Sequence, residues 1–155
     1  MSKPLSIILL SFFIGAVLFV ALLYYTLKTK ITDVSDQRPY REVLNKELVL
    51  QRDAVLVKSR SADIYANPYL LTEQEEQLMP EALPRYRLAK GTFIQITAAK
   101  LFKNGTSGFT YAYVLGKVYV PEIKSEVEFE YQWGESHISI YNDFKDYWTF
   151  PQAIW

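Results

Sequence analysis

Two hydrophobic patterns divide the chain. Residues 5–27 form an unbroken apolar run without one charged side chain, whereas from Glu47 onward apolar and polar positions alternate. A run of that length is about 35 Å long as a helix, enough to cross a ~30 Å hydrocarbon core. The alternation has the period of β structure. Segments 47–58 (ELVLQRDAVLVK), 93–102 (FIQITAAKLF), 109–120 (FTYAYVLGKVYV), 126–133 (EVEFEYQW) and 137–141 (HISIY) each read as a strand. NGTSG at 104–108 supplies the Asn and Gly that a hairpin turn needs. In 126–133 the pattern puts Glu126, Glu128, Glu130 and Gln132 on one face and Val127, Phe129, Tyr131 and Trp133 on the other. In the polar part only 73–79 reads as a helix, with Thr72 and Glu75 at capping-box spacing and Pro80 as its stop. Short strands at this spacing predict an all-β domain, a small antiparallel barrel or sandwich, behind one N-terminal transmembrane helix.

The apolar run exceeds the 7–15 residues of a secretory signal and no A-x-A-like site follows it, so it reads as an uncleaved anchor. Tyr24 and Tyr25, followed by Lys28 and Lys30, mark a membrane–water boundary. Ser11 and Gly15 make a small-xxx-small pair, a spacing that permits weak self-association of two anchors. Lys3 precedes the run, and Lys28, Lys30, Arg38 and Arg41 follow it; the bare count leans toward a cytoplasmic C-terminal domain. A four-residue tail ahead of a signal-like segment leans the other way, as do the absence of Cys and the Tyr-rich β domain. The expectation adopted is a single-pass protein of the bacterial inner membrane with a periplasmic C-terminal domain. Its parts are an anchor over 1–30, a polar linker over 31–40 and an all-β domain over 41–155.

Composition narrows the chemistry. The chain has 155 residues, 17 basic and 17 acidic, with one His and no Cys. The missing Cys excludes disulfides, thiolate metal sites and Cys nucleophiles. A net charge of zero gives nucleic acid no basic surface. Setting aside Lys3, Lys28 and Lys30 leaves 14 basic against 17 acidic residues in the remainder.

Short motifs carry one resemblance. AVLVKSRSADIYANP (54–68), followed after an insertion at 69–84 by RLAKGTFIQIT (87–97), resembles the opening of a bacterial SH3-like domain of the SH3b type. Residues 62–68, the Lys90-Gly91-Thr92 turn and the closing Gly116-Lys117-Val118-Tyr119-Val120 strand match its pattern. The long acidic insertion and the 30-odd residues after the closing strand depart from it. The resemblance implies a small barrel that binds cell-wall peptide or a protein partner.

Candidate catalytic groups are few. A Ser-His-Asp triad would have to use His137, with Ser139 on the same strand face, and no G-x-S-x-G elbow is present. Glu126, Glu128 and Glu130 stand roughly 6.5–7 Å apart per pair on one face, near the separation of an inverting glycosidase pair. Three exposed carboxylates on one strand fit better as an electrostatic docking edge for a basic partner. Phe109, Tyr111 and Tyr113 share a strand face that is either a Tyr-rich platform or a second buried layer. The aromatic end DYWTFPQAIW is expected to dock back on the barrel as a hydrophobic latch. The reading is therefore of a non-enzymatic, cofactor-free and metal-free binding module for a protein partner, either of the immunity or inhibitor type or the scaffold of a membrane complex. Its expected contact residues are Tyr111, Tyr113, Glu126, Glu128, Glu130 and Tyr141. The alternatives are an SH3-like module associated with peptidoglycan and an envelope hydrolase using Glu128 and His137.

Overall fold

The computed structural model describes residues 3–58, 68–73, 85–138 and 146–155. One helix, α1 (Lys3–Leu27), is long and apolar enough to span a membrane. From Ile7 onward its side chains pack against no other element and are exposed on every side. A helix apolar all round and unpacked by protein has the composition of a membrane span. The Ser11 hydroxyl donates to the Ile7 carbonyl at 3.0 Å and that of Thr26 to Leu22 at 3.0 Å, so neither brings an unsatisfied donor into the apolar region.

The remainder of the described chain is a mixed β-sheet. Its strands are β1 (Lys30–Asp33), β2 (Glu47–Val49), β3 (Ala54–Lys58), β4 (Tyr69–Thr72), β5 (Arg85–Leu88), β6 (Phe93–Lys103), β7 (Thr110–Val120), β8 (Ser125–Ile138) and β9 (Asp146–Thr149). They are ordered β1-β6-β7-β8-β4-β3-β5, with β2 beside β1 on β6 and β9 beside β4 on β8. The expected purely antiparallel pattern fails at one seam, because β4 pairs with β8 in parallel, Tyr69 opposite Phe129 and Leu70 opposite Glu130. The path ends at β1 and β5, which do not pair, so the described sheet is not a closed barrel.

Several boundaries differ from the sequence pattern, each for a local reason. Residues 31–40, expected to be a linker, belong to the fold. β1 pairs with the end of β6, the Val34 amide donates to the Ala99 carbonyl at 3.0 Å, and Val34 and Tyr40 are buried. The segment 47–58 is two strands rather than one. Leu50 leaves the ladder to exchange backbone hydrogen bonds with the 91–92 turn and is fully buried there. Conversely, the strands expected at 126–133 and 137–141 are one, running through Gly134. Tyr113 faces Gln132 but Tyr111 faces Glu135, so one extra residue sits in β8; Gly134 takes it at φ 125°. The helix expected at 73–79 lies outside the described residues except for Glu73, and so do residues 139–141 of HISIY.

The core lies where the long β6–β7–β8 meander curls over β3, β4 and β5. Leu50, Leu56, Leu71, Leu88, Ile94, Ile96, Val114, Val118, Val120 and Phe129 fill it. Each fully buried aliphatic or aromatic side chain contributes roughly 1.5–3 kcal/mol of transfer free energy. Gly116 is needed in mid-strand because a Cβ there would stand 2.5 Å from the Gln95 carbonyl oxygen and 2.7 Å from the Phe129 ring. Phe129, its ladder partner, occupies the space the missing side chain leaves.

The aromatic C-terminus docks on the sheet as a latch. Ile154 is fully buried, and its carbonyl accepts the Gln51 amide at 2.7 Å. Trp155 meets Tyr131 and Trp133 edge-on at 5.4 and 5.1 Å, and the Trp133 indole N–H donates to the Pro151 carbonyl at 3.2 Å. Phe150 stacks on Trp148 at 5.8 Å.

Candidate interaction surfaces

Register along β7 and β8 sets what each face presents. On β7 the even positions from Ala112 to Val120 face the core, which leaves Tyr113, Leu115, Lys117 and Tyr119 on the other side. Opposite them on β8 stand Gln132, Glu130, Glu128 and Glu126 in turn. The expected contact face therefore exists as a ladder, but burial changes along it. At its end nearer α1, Tyr113 is buried, donates its hydroxyl to Gln132 Oε1 at 3.3 Å and meets the Phe102 ring edge-on at 5.3 Å.

Two of the expected contact residues therefore need correction. Glu130, expected on the solvated face, is 1% exposed. Strand alternation alone makes Glu130 an outward position, but it stands mid-sheet between buried Leu115 on β7 and half-buried Leu70 on β4. Tyr113 is part of a buried second layer and not of a platform. Tyr111 is half-buried and stacks with Phe109 at 6.3 Å. Glu126 and Glu128 are exposed, but they are not a bare acidic edge: Lys117 pairs with Glu126 at 3.4 Å and stands opposite Glu128. Tyr141 lies outside the described residues.

Of the residues named as alternatives for hydrolysis, Glu128 and His137 do not share one site. Glu128 and His137 are nine steps apart on the single strand β8, roughly 30 Å at 3.3 Å per residue. Two carboxyl-type groups that share a scissile bond stand about 5–9.5 Å apart. Among the described residues no cluster of three His, Asp or Glu side chains is arranged to hold a metal ion.

A cleft of about 420 Å³ opens between β3, β5 and Glu73, lined by Asp53, Ala54, Val55, Arg87, Leu88 and Ala89. Part of its charge is matched internally. Arg52 pairs with Glu73 and also donates to the Gln152 and Ala153 carbonyls, while Asp53 Oδ1 accepts the Lys90 amide at 2.7 Å. Arg52 thereby ties the latch to the rim of the cleft.

Exposed apolar residues also stand at the end of the sheet away from α1. Phe93, one step beyond the Ile94–Val118 pair, and Tyr119, one step beyond it on β7, face the same side at 60% and 56% exposure. Ile123, in the β7–β8 turn, is 41% exposed, Glu126 stands opposite Tyr119, and Glu122 and Glu128 are exposed. None of these three apolar residues was expected as a contact. The signal was present in strand parity: Ile94 and Ile96 claim the inner face of β6 and Val118 and Val120 that of β7, which puts Phe93 and Tyr119 outside. Comparison with family models, with characterised proteins and with solved structures finds no match to the chain.

Proposed function

We propose that the protein is a non-enzymatic binding module, anchored by α1 in the bacterial inner membrane with its β domain on the periplasmic side, that docks a protein partner through the end of the sheet farthest from the anchor. The observation that carries this reading is the exposed Phe93 and Tyr119 on one face of β6 and β7, with Glu126 opposite Tyr119 and Ile123 exposed in the following turn. Exposed aromatic side chains with a polar frame are the composition of interface centres. Monomer surfaces carry such groups sparingly. The partner is a protein held at or reaching the membrane, of the immunity or inhibitor type or a component of a membrane complex, and the anchor raises its effective concentration there.

A photo-crosslinking residue at position 119 or 128 of the full chain tests this in cells. A discrete adduct that disappears with Phe93→Ser supports the reading, while no adduct from either position refutes the choice of surface. Protease accessibility in intact cells against spheroplasts tests the side of the membrane, with digestion in spheroplasts alone as the expected result.

An SH3-like, peptidoglycan-associated module is the second reading. It is favoured by the Lys90-Gly91-Thr92 turn, where Gly91 adopts φ 92° between β5 and β6 at the place the resemblance requires. Co-sedimentation of the full chain with purified peptidoglycan, undiminished by Phe93→Ser, would select it.

A further inference from the structure

The helix and the sheet meet at one corner. β1 starts three residues after α1 ends and pairs with the last residues of β6, which sets Lys30 opposite Lys103. The 104–108 turn rests against the helix end so closely that a Cβ on Gly105 would stand 2.7 Å from the Leu27 carbonyl. A loop distant in sequence thus brings Lys103 to the same exposed corner as Lys28 and Lys30.

Like charges directly opposite in a ladder are unfavourable, and no ion pair to Lys28, Lys30 or Lys103 is found among the described residues. The cleft between helix and sheet, about 370 Å³, is lined by Tyr25, Lys28, Thr29, Lys30 and Ile31, with no carboxylate. Along the ladders the nearest described acids are Asp33, opposite Lys100 at the far end of β1, and Glu135, opposite Tyr111 two strands away. The Asp33 carboxylate accepts the Ser35 amide at 2.9 Å. The same corner exposes Tyr24, Tyr25, Ile31 and Phe109, and Lys30 Nζ lies 5.6 Å from the Tyr25 ring centroid.

We infer that this corner is a headgroup site for anionic phospholipid in the membrane that α1 crosses. Cations with no carboxylate beside them among the described residues attract phosphate, and exposed rings beside the end of a spanning helix place that phosphate at the bilayer surface and not in free solution. The hairpin makes the site more than a flanking charge, because the β1–β6 pairing sets Lys103 opposite Lys30, beside the cleft that Lys28 and Lys30 line. This inference rests on α1 spanning a bilayer and is independent of any protein partner.

The test uses the full chain in nanodiscs of mixed phosphatidylcholine and phosphatidylglycerol, with retained lipid identified by native mass spectrometry. The parent protein is expected to retain phosphatidylglycerol in preference, and Lys103→Gln to lower that preference about fivefold. Lys46→Gln, at the opposite end of the sheet, is expected to leave it unchanged. No preference in the parent, an unchanged ratio in Lys103→Gln, or an equal fall in both variants would overturn the site. Membrane insertion is scored separately by resistance to alkaline carbonate. Extraction of the parent would overturn the span and the lipid site together, whereas a resistant parent without lipid preference would overturn the site alone.

Discussion

Replacing Ile154 with Ala tests whether the last residues of the chain are structural. The side chain is fully buried, and it loses three carbons in the substitution. At about 0.8 kcal/mol per buried CH₂ the transfer contribution is roughly 2.4 kcal/mol, and the unfilled space raises the total toward 3 kcal/mol. The backbone bond from the Gln51 amide to the Ile154 carbonyl survives the change, so the loss reports packing alone. Urea unfolding of the full chain in detergent micelles measures it. Tryptophan fluorescence is well suited, because all three indoles, Trp133, Trp148 and Trp155, belong to or contact the latch. Arg52→Ala makes the contrasting measurement: its guanidinium bridges Glu73 and the tail carbonyls but is substantially exposed, so the expected loss is under about 1 kcal/mol. A loss below about 0.5 kcal/mol for Ile154→Ala would refute the docked tail. So would a fluorescence transition in the parent that precedes the loss of sheet signal in the infrared.

Gly116→Ala is expected to destabilise the domain by about 1–3 kcal/mol, because the Cβ would press on the Gln95 carbonyl and the Phe129 ring; the same urea titration measures it. Glu130→Lys is expected to cost several kcal/mol or prevent folding, whereas Glu126→Lys and Glu128→Lys stay within about 0.5 kcal/mol of the parent. Equal effects from the three would refute the assigned burial. Burial raises the phenols of Tyr40 and Tyr131 to about 12, with Glu73 adding to the effect at Tyr131. Their neutral forms are therefore favoured in the folded state, and the stability they contribute is present below about pH 10 and lost as pH rises toward about 12. Tyr131→Phe should flatten that alkaline fall, read as the midpoint of urea unfolding against pH.

The apolar helix and the three long strands were legible because the first is a long uninterrupted apolar run and the others are long and alternate. Ile94, Ile96, Val118 and Val120 mark their inner faces without help from any neighbour. What escaped were elements whose identity depends on a partner. β1, β4 and β5 are each four residues long, too short to show a period, and become strands only beside β6, β3 or β8. The parallel seam between β4 and β8 is non-local, and Glu130 shows its consequence: its own strand marks it as solvated, and only its neighbours on β7 and β4 decide otherwise. The same holds for the contact surface. Glu126 and Glu128 were visible as outward carboxylates, but their neutralising neighbour Lys117 comes from the adjacent strand, and so does the pairing of Phe93 with Tyr119 into one patch.

That geometry constrains what a partner must do. β6 runs from Lys103, beside the helix end, to Phe93, ten steps or roughly 33 Å away. The aromatic group thus sits well beyond the headgroup layer if the sheet stands upright on the bilayer, and lies against the lipid if the sheet tips over. Two features of the structure oppose tipping, the 104–108 turn abutting the end of α1 and β1 continuing into the sheet with little free chain, and the proposed lipid site at Lys28, Lys30 and Lys103 would add a third. Gly105→Val separates the cases, because its side chain would collide with the backbone at Thr26 and Leu27 and lever the turn away from the helix. Gly105 is exposed at the tip, outside the core, so core stability should change by less than about 0.5 kcal/mol while the joint loosens. With the upright arrangement, amide exchange at 104–109 accelerates in the variant and crosslinking from position 119 to its partner falls. Crosslinking that is unchanged while the turn is demonstrably freed would show that the partner does not depend on the sheet being held at a fixed angle, and the joint would then serve only to tether.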